Sequence, residues 1–389
     1  MADTIPLERP NFLIIMSDEH DPAATGCYNH PIVKTPNLDR LAAQGVTFDN
    51  AYCNSPICVA SRMSFITGKY VHQIGAWDNG SPIKGEEPTF AHYFEAEGYD
   101  TVLCGRMHMV GDNRLHGFGK RLYGDLEADK SYRQIARRTK DWRRSSNSHV
   151  TENGPGEGSW QSYDGAVTDL SVRCLKNKAK YPSERPWLLV SGLLFPHFPL
   201  IAPEDYYNMY STDNVLMPNL GDETFAKQHP AIRHLRWAFH NEKDLPEEVT
   251  RRALASYYAL VTLTDHNIGQ MLEVIDNSHL KNNTIVIYTS DHGEMAGQHG
   301  IWQKCCFYEA SCRVPLIVRW PGVPAGMRVE SNVSLVDVMP TVMDMAGIEV
   351  PGGLPGESLL AFVGESAGSD RAVFSEYHAQ GLLNAEYIL

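Results

Sequence analysis

The chain is predicted to be an α/β protein, with a mostly parallel central sheet flanked by helices. Three observations predict it. Apolar, strand-like runs alternate with helix-like segments along most of the 389 residues, the pattern of a parallel sheet covered on both faces. Two of those runs, Asn11–Met16 and Thr284–Thr289, lead directly into acidic polar residues. Hydrophobic residues make up 43% and charged residues 21%, an ordinary globular balance that can bury a large core. At roughly 150 residues per domain the length allows about two to three domains, and one large domain with a small appendage fits equally well.

Asn11–Met16 reads as a fully buried parallel strand, followed by Ser17, Asp18 and Glu19. Asn37–Gln44 is a short amphipathic helix closed by Gly45, and Val46–Tyr52 is the next strand. Ser61–Thr67 reads as a helix ending at Gly68, and Thr89–Glu97 as another ending at Gly98, before a strand at Thr101–Cys104. Residues 111–160 are polar, basic and Gly-rich without a period, and read as an insertion. Gly165–Lys180 is helical, Trp187–Leu194 is a strongly apolar strand, and 202–245 is irregular with several aromatics. Glu247–Asp276 is a long helix. Thr284–Thr289 is a β-branched strand running into Ser290, Asp291, His292 and Gly293. Val314–Val318 is expected as a strand and Ser334–Ala346 as a helix. In such sheets ligands sit at the carboxyl ends of strands, so acidic clusters at two strand ends are a functional lead. Polar residues also end strands simply because loops are wet.

The charge balance is 34 Lys+Arg against 47 Asp+Glu, a net −13. Such an acidic surface excludes non-specific binding to nucleic acid or anionic membrane. The N-terminal apolar run Phe12–Met16 is too short for a signal-peptide core, and no basic segment precedes it. No stretch approaches the ~18 apolar residues of a membrane span, so a cytoplasmic location is expected. Cys27, Cys53, Cys58, Cys104, Cys174, Cys305, Cys306 and Cys312 form no C-x-x-C pair. A zinc site is unsupported, and buried thiols in a reducing compartment are expected. Neither a P-loop nor a G-x-G-x-x-G motif occurs.

The most informative stretch is Ser55–Gly68. Cys58 stands just before the expected helix, and Arg62 follows four residues on. A helix N-terminus with a nearby cation stabilises an anion at the Cys, and four residues is about one turn. A buried Cys beside a surface Arg would look the same. The stretch resembles the signature of the sulfatase family, C-x-P-x-R-x-x-x-x-T-G, through Cys58, Ala60, Arg62, Thr67 and Gly68. Residues 11–20, 35–52, 105–111, 195–199, 289–294 and 300–322 resemble further family segments in the same order, so the resemblance spans nearly the whole chain.

The resemblance implies an alkaline phosphatase-like fold and a sulfuric ester hydrolase. It implies that Cys58 is oxidised by a formylglycine-generating maturation enzyme, and that the aldehyde hydrate is the nucleophile. It implies a divalent metal, Ca²⁺ before Mn²⁺ or Mg²⁺, on Asp18, Asp291, His292 and position 58, with Glu19 a candidate fourth protein carboxylate or imidazole ligand. Arg62 would orient the hydrate. Arg106, His108, Lys304 and the Asn79 amide would bind sulfate oxygens. His197 or Lys304 would protonate the leaving oxygen, and His108 would take the proton of the remaining hydroxyl. The substrate partner is then a small-molecule sulfate ester, with no nucleic acid or membrane, and oligomerisation is left open.

The chain departs from the family pattern at four places. Ala60 stands for Pro, Glu19 for a second Asp, Arg106 for Lys and His292 for Asn. An Asp-His pair like Asp291-His292 is shared by choline sulfatases and phosphonate monoester hydrolases, so a phosphonate monoester or phosphodiester hydrolase is the runner-up. The cationic Arg106/His108 pair resembles sulfatases instead. A catalytically inactive metal-binding module is the third reading. The run 104–118 looks most like choline-sulfatase relatives, for which Trp77, Trp142, Trp160 and Tyr163 are available as a cage for a quaternary ammonium. Residues 1–365 are expected to form the catalytic domain. Residues 366–389 are expected to begin a small C-terminal subdomain, with Arg371–Tyr377 as its first strand and the chain stopping short within the next one.

Overall fold

The computed structural model describes residues 9–126, 142–221, 224–364 and 371–378. Its strands are β1 (Asn11–Asp18), β2 (Val46–Tyr52), β3 (Asp100–Gly105), β4 (Lys120–Tyr123), β5 (Gly154–Pro155), β6 (Trp187–Pro196), β7 (Ile201–Ala202), β8 (Thr284–Ser290), β9 (Arg313–Val314), β10 (Leu316–Arg319) and β11 (Met327–Ser334). One sheet runs β11-β2-β10-β8-β1-β6-β3-β4, with β9 beside β2, while β5 and β7 form a separate pair. Strand β10 is antiparallel to both its neighbours, and β9 is antiparallel to β2. The other pairs in the large sheet are parallel.

Period-two alternation on β1 explains the layering. Phe12, Ile14 and Met16 join a core with the helices Cys58–Thr67, Phe90–Ala96 and Val338–Ala346. Leu13 and Ile15 join an opposite core with the helices Pro36–Ala43, Ser159–Lys180 and Glu247–Asp276. Because both faces are covered, β6 and β8 are buried at every residue and read as unbroken apolar runs.

Register sets the functional end of the sheet. Ser17 pairs with Ser290 on β8, and Asp18 pairs with Pro196 on β6. Asp18, His197 and Asp291 therefore leave adjacent strands at one level. Gly192 on β6 sets the spacing to the next strand. Arg106 N donates to Gly192 O at 2.8 Å, and a Cβ on Gly192 would sit 1.8 Å from Arg106 O.

Several sequence expectations are corrected. Cys58 is the first residue of its helix rather than just before it. The expected strand Val314–Val318 is split at Pro315, which has no N–H for the ladder, and both pieces run antiparallel to their neighbours. The start of the expected helix 334–346 belongs to strand β11 and a 3-10 turn, and the α-helix begins at Val338. The irregular stretch 202–245 contains the helices Glu204–Tyr207 and Pro230–Ala238. The insertion 111–160 carries β4, the helical turn Ser148–Thr151 and β5, and its residues 127–141 lie outside the described residues. Arg371–Tyr377 is not a strand. Its backbone makes isolated contacts, with Glu376 N donating to Asn54 O at 2.9 Å, and Arg371 pairs with Asp337 at 2.6 Å. The proposed boundary at 365/366 and the expected strand near the C-terminus fall outside the described residues. Among the described residues no helix is long and apolar enough to cross a membrane. All eight cysteines are free thiols.

His149 is packed without polar partners. It is 7% exposed, neither ring nitrogen has a hydrogen-bond partner, and its ring lies 5.5 Å from Phe198 and 6.3 Å from Phe239. Burial pushes its pKa down to about 2, helped by the nearby charges of Arg144, Lys304 and His240.

Two predictions follow from this packing. Gly192→Ala is expected to lose at least ~3 kcal/mol of stability, because backbone faces the new methyl; an unchanged urea midpoint would contradict the contact. For His149, the unfolded chain takes up a proton below the ordinary His value while the folded chain does not. Its contribution is therefore complete above that value and falls by ~1.4 kcal/mol per pH unit as pH drops towards acid. Urea titrations between about pH 6.5 and pH 4 should be flatter for His149→Phe than for wild type, and parallel curves would refute the neutral, buried ring.

Candidate active site

The site is built at the carboxyl ends of β1, β6, β3 and β8, together with the first turn of the helix Cys58–Thr67 and the loop bearing Lys304. All ten residues of that helix are buried. It has no side-chain cap at Ile57. Asn79 Oδ1 instead accepts from Val59 N at 2.9 Å, satisfying one of the amides orphaned at the helix start. Ser61 Oγ donates to Asp291 O at 2.5 Å, tying the helix to the loop after β8.

Arg62 lies at the centre, 0% exposed. Its Nε donates to Asp291 Oδ2 at 2.7 Å, and its Nη2 to Asp18 Oδ2 at 3.0 Å and Ser17 O at 3.2 Å. Its Nη1 donates to Arg106 O at 2.6 Å. Every guanidinium nitrogen is engaged, and Arg62 holds the two aspartates. Both Oδ2 atoms face Arg62, and both Oδ1 atoms face a common gap. His292 Nε2 lies 3.7 Å from Asp18 Oδ1, 3.6 Å from Asp291 Oδ1 and 3.3 Å from Cys58 Sγ. Its Nδ1 is 3.0 Å from Gly293 O, which can only accept, so Nδ1 carries the proton and Nε2 presents a lone pair. Ligand atoms of Asp18, Cys58, Asp291 and His292 all fall within 4.8 Å of one another. This donor set, two carboxylate oxygens and an imidazole nitrogen around one gap, fits a divalent cation.

Glu19 falls outside that quartet and groups with Asp18 and His197. Its Oε1 is 3.1 Å from Lys304 Nζ and its Oε2 3.3 Å from His197 Nε2, consistent with the longer stem displacing it. Burial holds the Glu19 carboxyl well above its usual pKa, against the pull of Lys304. Burial also opposes ionisation of Asp18, but Arg106 and Arg62 outweigh it and hold that carboxyl well below its usual value. Burial pushes the Cys58 thiol up to about 12, so the unmodified side chain is a neutral, inert thiol.

Arg106 and His108 sit on the segment leaving β3. Arg106 Nε is 2.5 Å from Asp18 Oδ2, and its Nη2 donates to His108 Nδ1 at 3.1 Å. Burial, with Arg106 adding, pushes His108 well below the usual His pKa. On the β6 side, His197 Nδ1 donates to Phe198 O at 2.7 Å, and its ring stacks on Trp160 at 5.4 Å. Lys304 Nζ lies 5.2 Å from the centre of the Phe198 ring. Burial opposes the Lys304 charge, but the surrounding acidic groups hold its pKa above the usual lysine value.

The four aromatics available for a cage are dispersed among other partners. Trp77 packs on His378, Trp142 on Phe239, Trp160 on His197 and Tyr163 on Tyr123. Outside the site, His116 is buried, His266 is exposed and His299 stacks on Tyr308 at 4.1 Å.

Three residues escaped the sequence reading. Asp125 accepts from the N–H groups of Met107, His108 and Met109 at 2.9, 2.6 and 3.1 Å, holding the loop in which His108 adopts φ 54°. It lies in the aperiodic insertion, and its only signal was a carboxylate among basic residues. Glu294 Oε1 accepts from Ala296 N at 2.8 Å and Gln303 N at 2.6 Å, joining the β8 loop to the Lys304 segment. His149 packs on the same Phe198 ring that faces Lys304.

The sulfatase family model matches residues 10–348. The choline-sulfatase of Rhizobium meliloti (strain 1021) is 32% identical over 384 residues, covering 96% of this chain and 75% of that protein. A phosphonate monoester hydrolase of Agrobacterium radiobacter superposes with a TM-score of 0.79 at 26% identity, over 95% of this chain and 80% of that one. A structure solved in complex with its substrate, D-glucosamine-2-N,6-O-disulfate, superposes with a TM-score of 0.74 at 25% identity, over 96% and 84% of the two chains. The mostly parallel sheet and the signature residues at its strand ends agree with these matches: the chain belongs to the sulfatase family of hydrolases.

Proposed function

We propose that this chain hydrolyses a sulfate monoester, releasing an alcohol and inorganic sulfate, at position 58 after conversion of Cys58 to formylglycine. The observation that carries the reading is the gap under Arg62, where Asp18 Oδ1, Asp291 Oδ1, His292 Nε2 and position 58 converge. These residues would hold a divalent cation, Ca²⁺ before Mn²⁺ or Mg²⁺ given two hard carboxylates. The cation would supply charge neutralisation, and the hydrated aldehyde an oxygen nucleophile. Arg62 keeps both carboxylates oriented. Arg106, Lys304, His108 and Asn79 are assigned to the sulfate oxygens, where charge develops. His197 keeps its Nδ1 proton on Phe198 O and so presents Nε2 as an acceptor, which leaves Lys304 as the proton donor to the leaving oxygen. With Arg106 drawn to sulfate, the Nδ1 lone pair of His108 is available to take the proton of the hydroxyl at position 58.

A second reading, phosphonate monoester hydrolysis, is favoured by the structural likeness to the Agrobacterium radiobacter enzyme. The pairing of cationic Arg106 with the neutral imidazole of His108 supports the sulfatase reading over it. No observation favours an inactive module, since Cys58, Arg62 and Asp291 are all present and clustered.

Mass, turnover and thermal measurements test the proposal. After co-expression with a formylglycine-generating enzyme, the tryptic peptide bearing residue 58 should be ~18 Da lighter than its Cys form. An unmodified peptide that nonetheless turns over sulfate esters would remove the aldehyde from the reaction. Cys58→Ala should lose ~10³-fold or more of 4-nitrophenyl sulfate turnover, as removal of a nucleophile does. Faster turnover of an aryl phosphonate than of the sulfate by wild type would promote the second reading. For the metal, chelation should lower both the thermal midpoint and the turnover of wild type, whereas the midpoint of Asp291→Asn should not respond to chelator. A wild-type midpoint indifferent to chelator would refute the assigned ligands.

A further inference from the structure

Sheet pairing alone does not deliver the end of β6 to the site. Between Met16 and Asp18 on β1 the partner strand advances from Gly192 to Pro196, so Leu193, Leu194 and Phe195 stand opposite Ser17 alone. Such a bulge bends its strand and re-aims the side chains beyond it. Asp164, fully buried on the helix Ser159–Lys180, takes up two amides of the bulge. Its Oδ1 accepts from Leu194 N at 2.7 Å and its Oδ2 from Phe195 N at 2.9 Å. A carboxylate can accept at both oxygens in this way, whereas an amide side chain can accept at only one. The helix is also tied to β6 further along, where Ser171 Oγ and Ser191 Oγ lie 3.0 Å apart.

One residue separates Asp164 from His197. Leu194 O accepts from His197 N at 3.2 Å, so Leu194 is gripped at its N–H by Asp164 and at its carbonyl by His197. His197 Nε2 lies 3.3 Å from Glu19 Oε2, and Glu19 Oε1 lies 3.1 Å from Lys304 Nζ. The Phe198 ring stacks on His197 at 4.0 Å and faces Lys304 Nζ at 5.2 Å. A shift of the bulge is therefore passed to His197, and through Glu19 and Phe198 to Lys304. The loop bearing His108 is held separately, by Asp125.

The geometry points to Asp164 as the positioning residue for the leaving-group side of the site, an inference that rests on the sulfatase reading above. By holding the Leu194 and Phe195 amides it sets where His197 stands and where Lys304 presents its proton. Its loss is then felt according to the leaving group. A nitrophenolate departs without needing a proton, whereas a more basic phenolate gains from protonation as it leaves.

The test compares matured wild type, Asp164→Asn and Asp164→Leu on phenyl sulfate and 4-nitrophenyl sulfate. Burial pushes the Asp164 carboxyl up to about 7, so the assays are run at about pH 8, where it is ionised. Asp164→Leu should lose about 10²-fold of kcat on phenyl sulfate, the scale of a small misplacement of a reacting group. Its loss on 4-nitrophenyl sulfate should be at least about ten times smaller. Asp164→Asn, which keeps one acceptor, should fall between wild type and Asp164→Leu. Asp265→Asn is the control, because Asp265 is a buried carboxylate that holds Asn37 N and Leu38 N at 3.1 and 2.8 Å at the start of a different helix. It should lose stability and leave the ratio of the two substrates unchanged. Should the Asp164 variants fail to fold, amide hydrogen exchange on wild type decides: Leu194 and Phe195 should be as protected as the middle of β6, and fast exchange there overturns the assignment. Equal losses on both substrates, a ratio shifted as much by Asp265→Asn, or a wild type that turns over 4-nitrophenyl sulfate but not phenyl sulfate, also overturns it. Turnover of neither ester by matured wild type overturns the sulfatase reading itself.

Discussion

One guanidinium organises the site. Arg62 is buried without exposure and bridges Asp18 on β1 to Asp291 after β8, two carboxylates that are far apart in sequence. Burying three charges is expensive, and desolvation can exceed the Coulombic gain unless every lone pair and proton is used. Here the geometry uses most of them. Each carboxylate gives one oxygen to Arg62, two further guanidinium protons go to the backbone carbonyls of Ser17 and Arg106, and the second carboxylate oxygens converge. The pairs are therefore weak evidence for stability and strong evidence for orientation. The site's other buried charges follow the same logic, with Arg106 on Asp18 and Lys304 on Glu19.

Strand register makes this possible. Neighbouring strands fix Ser17 beside Ser290 and Asp18 beside Pro196, so the residues that follow are delivered at one height before any side chain is considered. The chain then turns sharply, and two of the residues involved, Glu19 and His108, take left-handed conformations at φ 67° and 54°. Such conformations cost roughly 1 kcal/mol each outside glycine. They persist because the surroundings over-determine them: Glu19 N is held by Asp291, and the His108 segment by Asp125.

The central strands and the long helix were legible in the sequence because burial on both faces leaves an unbroken apolar run, and a helix of 30 residues repeats its stripe many times. Val46–Tyr52 and Glu247–Asp276 were read with the ends they have in the structure. The direction of β10 was not legible, since antiparallel and parallel neighbours share the same apolar pattern. Nor was β11, whose exposed alternate residues diluted its signal. The residues around the gap could be named from the ordered motifs, but the carboxylate contacts of Arg62 could not. Which atom of a carboxylate faces an arginine is a property of the folded geometry alone. Asp125 and His149 lay in a stretch without periodicity, where only tertiary contacts give a residue meaning. The acidic net charge says nothing about an anionic ligand at the site, because a global sum carries no information about the cations gathered at the strand ends.

The burial of Cys58 has a consequence in time. The thiol is 1% exposed, roofed by His292, which lies 234 residues further along the chain. No protein-sized catalyst can reach an atom so enclosed without opening the strand ends of the sheet. Chemistry done to that side chain by another protein must therefore be finished while β8 is still unmade or undocked. At ~5–20 residues per second of synthesis, that interval is on the order of ten to fifty seconds. Were residue 58 modified as proposed, the rate at which the ribosome advances would set how much of the protein carries the modification, independently of how stable the finished fold is.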